Sequence, residues 1–304
     1  MANESNFDIF NLSVKDVDLF KQEASKESVL YKPTADKGKD GIYRALIRFI
    51  PNPKNPQKSL VRKFVYWLED SAGSGSYFDS PSTVGEKCPV QDLFFKLRNS
   101  ESAIDKKMAE KLKRREVYYA LIQIIKDPQD PAMDGKYKIF KFGYKIKQKI
   151  DEELNPQFDS PTQVFDLFEG KNFELTITKQ GGFNNYDSSK FQGNKSSITI
   201  GGKKVENSEE GRKMILDSFT DAPELGAFEF KSWTDEDRSK IETILNQYRS
   251  PGESISTLTS KGKDEFNIDD LATKHNSKNE LKGEESSVTG GDEDLNSFLD
   301  GLDI

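Results

Sequence analysis

In the stretch KLKRREVYYA, Lys113, Arg114 and Arg115 run directly into Tyr118 and Tyr119, and in KYKIFKFGY, Lys138 and Lys141 interleave with Phe140, Phe142 and Tyr144. A third stretch, IYRALIRFIP, sets Arg44 and Arg48 on one side of an alternating pattern, expected to face water, with Tyr43, Ala45, Ile47 and Phe49 on the other. Cations that track phosphates, beside flat rings on which unstacked bases can lie, are what a single-stranded nucleic acid asks of a binding surface. Each residue also has a plainer role. A ring on a strand more often fills a core than offers a platform, and a strand arginine is most often a wetted face. Three such strands in one chain favour the binding role, because a merely solvated face has no need of rings beside its charges. The loop QGGFNNYDSSKF adds a fourth element: Gly181 and Gly182 free the backbone, and Phe183 and Tyr186 project beside Lys190. Its alternative is an ordinary loop whose rings cap the core.

Covalent chemistry has little material. The only histidine is His275, in a terminal stretch expected to be unstructured, and the only cysteine is Cys88, which leaves no Cys/His pair and no Ser/His/Asp triad. No GxxxxGK[ST] loop occurs, nor a GxGxxG opening a helix after a strand. Acidic pairs are plentiful, but with 32% charged residues they read as solvated faces. The chain is not expected to be an enzyme, and no cofactor or metal is expected.

Composition sets the surroundings. Hydrophobic residues make up only 34% of the 304 and mean hydropathy is -0.75, so part of the chain is expected never to pack. The net charge of -7 conceals an asymmetry. Residues 250–304 hold 5 bases and 13 acids, while residues 37–149 hold 24 bases and 13 acids, a net +11. The sequence pI near 5.2 therefore describes the end of the chain and not its middle. A single cysteine excludes an intramolecular disulfide, MANESNFDIF lacks the plan of a signal peptide, and no apolar run is long enough to span a membrane. These features point to a reducing cytosol and to no membrane partner.

The elements that must position the cationic stretches follow from periodicity. IYRALIRFIP reads as a strand closed by Pro51, Pro53 and Pro56, with VRKFVYWLE as its partner. DSAGSGSYFDSPSTVGEK reads as a long loop, followed by helices over 89–97 and in SAIDKKMAEKL. EVYYALIQII, apolar on both faces, reads as a central strand, and KYKIFKFG returns beside it after a proline turn. SPTQVFDLFEG reads as a short capped helix and NFELTITKQGG as a strand with Phe173, Leu175 and Ile177 inward. TDEDRSKIETILNQY opens on Thr234 with Asp237 three residues on, and should be the last packed helix. Short strands broken by helices, without βαβ alternation, argue for a mainly β fold with α insertions, as in a five-stranded OB-type barrel. The expected organisation is an N-terminal arm over 1–36, a binding core over 37–249 with a helical insertion at about 70–112, and a flexible linker and acidic tail over 250–304.

Taken in order, IRFIP, KRREVYYA, IIKDPQDPAMDGKYKIFKFGYKI, GGFNNYDSSKF, FNIDDLATK and DEDLNSFLDGLDI resemble the helix-destabilising, single-stranded-DNA-binding protein family of the T-even bacteriophages. The resemblance covers most of the chain from about Arg44, and the Gly-Phe-x-Asn-Tyr-Asp-x-Ser-Lys-Phe loop is its most specific motif. It implies an OB-type barrel with an inserted helical subdomain, a cationic cleft between them, and an acidic C-terminus. It also implies a setting in the cytoplasm of an infected bacterial host. The family's cleft residues carry over onto Arg48, Trp67, Arg114, Tyr118, Tyr119, Phe140, Lys141, Phe183 and Tyr186, with Tyr66 an equal alternative to Trp67. Two departures stand out. The family's zinc site uses one histidine and three cysteines, whereas here only Cys88 remains, too few donors for a tetrahedral site. Packing by Phe78, Leu93 and Phe94 must then hold the insertion. The family's basic N-terminal arm, which binds the next protomer, is replaced by MANESNFDIFNLSVKDVDLFKQ. Self-association along DNA is then either weakened or carried by Phe7, Ile9, Phe10 and Leu12.

The acidic end has a role within that reading. The last thirteen residues carry Asp292, Glu293, Asp294, Asp300 and Asp303 and no base. A tethered polyanion competes with DNA for a cationic cleft at high local concentration. Leu295, Phe298, Leu299 and Leu302 recur at spacings of three and four, a pattern a solubility tail does not need, and suit docking on replication and recombination proteins. Two other readings use the same residues differently. An RNA-binding translational repressor is separated by matched RNA and DNA oligomers, and a purely protein-binding module by the absence of fluorescence quenching on adding oligo-dT. Removing residues 287–304 is expected to tighten single-strand binding at low salt and to abolish partner binding; unchanged affinity in a titration would rule the tail out as competitor.

Overall fold

The structure, a computed structural model, describes residues 28–249. The predicted tail residues 292–303 and most of the N-terminal arm lie outside them. Among the described residues no helix is long and apolar enough to cross a membrane.

Alternation builds most of the sheet. In chain order it contains β1 (Leu30–Tyr31), β2 (Tyr43–Ile50), β3 (Leu60–Glu69) and β4 (Gly75–Asp79). Two helices follow, α1 (Pro89–Arg98) and α2 (Ala103–Lys111), then β5 (Arg115–Lys126), β6 (Tyr137–Phe142) and α3 (Tyr144–Leu154). The chain returns as β7 (Lys171–Gln180), β8 (Phe183–Asn185) and β9 (Lys190–Lys195), makes a small hairpin of β10 (Thr199–Ile200) and β11 (Lys203–Lys204), and ends in α4 (Glu209–Ser218) and α5 (Asp235–Asn246).

The fold is mainly β with helices, as predicted, but the sheet has nine strands and does not close on itself. Its path runs β1-β6-β5-β2-β7-β8, with β3 and β4 branching from β5 and β9 from β7. The branch arises because β5 is long. Arg115 to Ala120 pair with β3 and Leu121 to Lys126 pair with β2, on the same edge. VRKFVYWLE is thus a partner of β5 and β4, not of β2 as expected from its position. β2 pairs instead with β7 over Tyr43 to Ile47 and with β5 over Leu46 to Ile50, with a register shift between Leu46 and Ile47.

Three apolar clusters support this sheet. The first joins Ile47 and Phe49 of β2, Tyr118 and Ile122 of β5, Phe140 and Phe142 of β6, and Phe173, Leu175 and Ile177 of β7, with Ile146 and Ile150 of α3 packed on it. Upstream, β1 pairs in parallel with β6 and Ala35 is buried, so packing begins before residue 37. The second cluster belongs to the insertion: Tyr66, Leu68, Phe78, Cys88, Val90, Leu93, Phe94, Leu97 and Leu112 meet Ile241, Ile244 and Leu245 of α5. Phe78, Leu93 and Phe94 do hold it, and α5 closes it from the far end of the described chain. The third lies under β10, β11 and α4, around Ile50, Leu121, Ile198 and Ile215.

Several local expectations resolve here. The Thr234 and Asp237 capping box is present, each side chain bonding the other residue's backbone N–H. The long loop expected after β3 contains a strand, β4, folded back through a turn in which Asp70 Oδ1 accepts from the N–H groups of Ala72 and Ser74, both at 2.9 Å. SPTQVFDLFEG forms no helix. Asp166 Oδ1 accepts from the N–H of Phe168 (2.8 Å) and Glu169 (2.7 Å), a local turn that competes with helical pairing. α3 and α4 were not among the predicted elements. The signals for them are the Ile146/Ile150 pair one turn apart and the Ser208 cap, whose Oγ accepts from Gly211 N–H at 3.1 Å.

The insertion does not fit a structural zinc. Cys88 is buried with its Sγ 3.4 Å from Tyr66 Oη, and no group of three or more His, Cys, Asp or Glu residues converges among the described residues. Chelators are therefore expected to leave the thermal unfolding midpoint unchanged. Leu245→Ala, which empties a fully buried site, should cost about 2–5 kcal/mol in denaturant unfolding.

Candidate nucleic-acid interface

Successive side chains of a strand point to opposite faces, so β5 cannot offer Tyr118 and Tyr119 to one groove. On one face Arg62 stands opposite Tyr118, Phe64 opposite Glu116, and Tyr118 opposite Phe142. Two guanidiniums pack on the half-buried ring of Phe64: the Arg62 carbon at 4.8 Å from the centroid and the Arg114 carbon at 3.7 Å. Arg62 pairs with Glu116, which also accepts from the Tyr118 hydroxyl at 2.7 Å. Arg114 donates to Ser82 Oγ (2.8 Å) and Gln91 Oε1 (3.1 Å), joining the sheet to the insertion through neutral acceptors only. Burial holds its pKa below the usual arginine value. Lys147 of α3 reaches over the Tyr118 ring at 5.7 Å, and that ring stacks on Phe142 with centroids 5.9 Å apart. Burial, followed by the bond to Glu116, raises the Tyr118 hydroxyl pKa, so it stays a donor.

The other face carries Lys63, Tyr119 and Lys141, with Tyr77 and Asp79 of β4. Lys63 Nζ pairs with Asp79 Oδ2 at 2.9 Å and lies 5.4 Å from the Tyr119 ring centre. The Lys141 ammonium sits 4.8 Å from the Tyr77 centroid and 6.0 Å from that of Tyr119. Phe228 stacks on Tyr119 at 5.0 Å and closes this side. Burial first, then the nearby Lys63 charge, pulls the Lys141 pKa from 10.5 down to about 8.

The remaining predicted residues divide by burial. Arg44 is exposed as expected, but Arg48 is a correction: it is 0% exposed, with Nη2 donating to the Asp166 carbonyl at 2.5 Å and Nη1 to Asn172 Oδ1 at 3.4 Å. Gly170 makes room for it, because a Cβ there would lie 2.6 Å from Nη2. The 163–170 segment folds over that end of β2 and removes it from water. Burial lowers the Arg48 pKa to about 10. Tyr118, Tyr119, Phe140 and Tyr186 are interior rings, so burial wins for each over an open platform. Lys138 is buried too, donating to the Ser28 carbonyl at 2.7 Å. Trp67, Arg115 and Phe183 are half-buried, and Lys113 and Lys190 are exposed.

Phe183 follows a two-residue turn in which Gly181 and Gly182 take φ of +60° and +91°, the hairpin geometry glycine permits. The loop beyond it is tied to α3 by Lys145 and Asp187 (3.5 Å) and by Lys149 Nζ donating to the Asp187 carbonyl (3.1 Å). Of the predicted residues the structure brings Arg114 and Tyr118 to one face of the sheet, where Arg62, Phe64 and Lys147, not among those predicted, also stand. The one local signal for Arg62 and Phe64 is their spacing of two in VRKFVYWLE, which puts a cation and a ring on one face of a strand.

Residues 40–243 match the family model described as "gp32 DNA binding protein like". The chain is 27% identical over 251 residues to the single-stranded DNA-binding protein of Enterobacteria phage T2, and equally to that of Enterobacteria phage T4. Each match covers 77% of this chain and 78% of the relative.

The depressed Lys141 pKa has a measurable sign. Between pH 8 and 10 the unfolded chain carries more protons at this amine than the folded one, so its contribution to stability grows with pH. Above pH 10 the buried tyrosines, whose pKa values are raised, act in the opposite direction. Denaturant midpoints at pH 7.5 and 9.5 should rise less in Lys141→Met than in the wild type; an equal rise in both would refute the assignment.

Proposed function

The chain belongs to the gp32-like DNA-binding protein family, and from that premise we propose that it coats single-stranded DNA without regard to sequence, protecting it and removing its secondary structure during replication, recombination and repair. The observation that carries the reading is Phe64 with two guanidiniums on its ring, at the junction of sheet and insertion. A ring can stack with any base, because every base has a π-face, while guanidiniums donate to phosphate oxygens in bidentate fashion. Arg114 is suited to a phosphate since its present acceptors are neutral. Lys113 and Lys147 extend the positive surface, and Arg62 is held ready by Glu116 and Tyr118. Each stacked base is worth about 1–3 kcal/mol, against roughly 1.4 kcal/mol for a step of duplex, so a few contacts suffice to open hairpins. No bond is made or broken, in keeping with a family of binding proteins rather than enzymes.

The finer parts of the reading rest on the same premise. An OB-type architecture is supported by the way β5 and β2 each divide their pairing between two partners, the exchange by which a sheet curls. The acidic residues from Asp292 to Asp303 are the proposed competitor for the cationic surface and, with Leu295, Phe298, Leu299 and Leu302, the proposed contact for replication and recombination proteins. Self-association along the strand belongs to the N-terminal residues. The phage origin of the relatives supports a setting in the cytoplasm of an infected bacterium.

An oligo-dT titration followed by intrinsic fluorescence should show quenching, with log K falling against log salt by about 0.7 per neutralised phosphate. Arg114→Ala should lower that slope by about one phosphate's worth, and Phe64→Ala should weaken binding about fivefold or more at unchanged slope. Titrations in which neither variant differs from the wild type would exclude this surface.

A further inference from the structure

Behind the loop that carries Phe183 and Tyr186 lies a pocket of about 230 Å³. Its walls come from α3, the segment after it, and the starts of β7 and β9. Charged side chains line it in equal numbers: Lys149, Lys171 and Lys190 against Glu152, Glu153 and Asp159. The ring of Phe191 forms part of the wall and packs edge-on against Phe173 at 4.8 Å. In the chain between the lining residues Pro156 and Asp159 comes Phe158, 90% exposed, more than any other large apolar side chain among the described residues.

We infer that this pocket accepts one nucleobase of the bound strand, with Phe158 as the ring against which that base or its neighbour stacks. The inference rests on the single-strand-binding function proposed above and adds a subsite to it. Three features select a base over other ligands. The lining is electrically balanced, so a phosphate gains nothing there that three carboxylates do not cancel. Ammoniums, hydroxyls and carboxylates together offer both donors and acceptors, matching the mixed edge of a base. The volume is below the roughly 300–1,000 Å³ of sites that enclose larger ligands, and is of the scale of one planar heterocycle. An isolated exposed ring is unremarkable on most surfaces; here the segment that carries it lines a polar cavity on either side of it, through Pro156 and Asp159. α3 stands between this pocket and the main surface: Lys147 on one flank lies over Tyr118, and Lys149 on the other lines the pocket and bonds the 187 carbonyl.

The test uses the full-length protein and oligo-dT. Phe158→Ala, which removes an exposed side chain and leaves the core untouched, should weaken binding about fivefold or more while keeping the salt slope of the wild type, because no phosphate contact is lost. An oligonucleotide carrying 5-iodouracil should cross-link to Phe158 or Phe191, located by peptide mass spectrometry. Unchanged affinity in Phe158→Ala together with no cross-link to either ring overturns the subsite, and so does a reduced salt slope. Arg114→Ala in the same titration separates the two ideas: if it weakens binding and Phe158→Ala does not, only the pocket is wrong.

Discussion

A β-strand must send neighbouring side chains to opposite sides, and β5 is where this rule decides the molecule's chemistry. Its twelve residues pair on one edge with β6 and on the other with β3 and then β2, so nearly every strand in the sheet takes its register directly or indirectly from it. Tyr118 therefore joins Arg62, Phe64 and Arg114, while Tyr119 joins Lys63, Lys141 and Tyr77. One run of bases and rings in sequence becomes two surfaces in space.

The two surfaces treat charge differently. On the Phe64 side the cations keep contact with water and either share a carboxylate, as Arg62 does, or hold neutral acceptors, as Arg114 does. On the Lys141 side burial weakens the ammonium itself, and the single carboxylate there is engaged by Lys63. Arg48 is a third case, a guanidinium sealed beneath 163–170 and held by a backbone carbonyl and Asn172, with its buried Nε left without a hydrogen-bond partner. An anionic ligand would meet the first kind of cation at the smallest cost in desolvation.

Much of the fold was legible because its signals are local. The alternation of β2 and β7, the apolar run of β5, and the Thr234 box each need only a few neighbouring residues to read. What was not legible depends on distant partners. Nothing in VRKFVYWLE says that β5 rather than β2 will pair with it, and nothing in IYRALIRFIP says that 163–170 will cover Arg48. For the candidate site, Arg114 and Tyr118 were found by composition. Phe64 was not, since its value comes from a guanidinium fifty residues later packing on the same ring. The helix expected at SPTQVFDLFEG failed because Asp166 turns the backbone before a helical turn can close.

The way α5 completes the insertion bears on how the chain is made. Residues up to Leu112 emerge early from the ribosome, yet the side chains that seal their apolar cluster are Ile241, Ile244 and Leu245. At roughly 5–20 residues per second, the helices α1 and α2 wait on the order of ten seconds for their lid. During that interval Leu93, Phe94 and Leu97 are available to wrong partners, and the nascent protein is most exposed to chaperones and proteases at the segment that Arg114 later joins to the sheet.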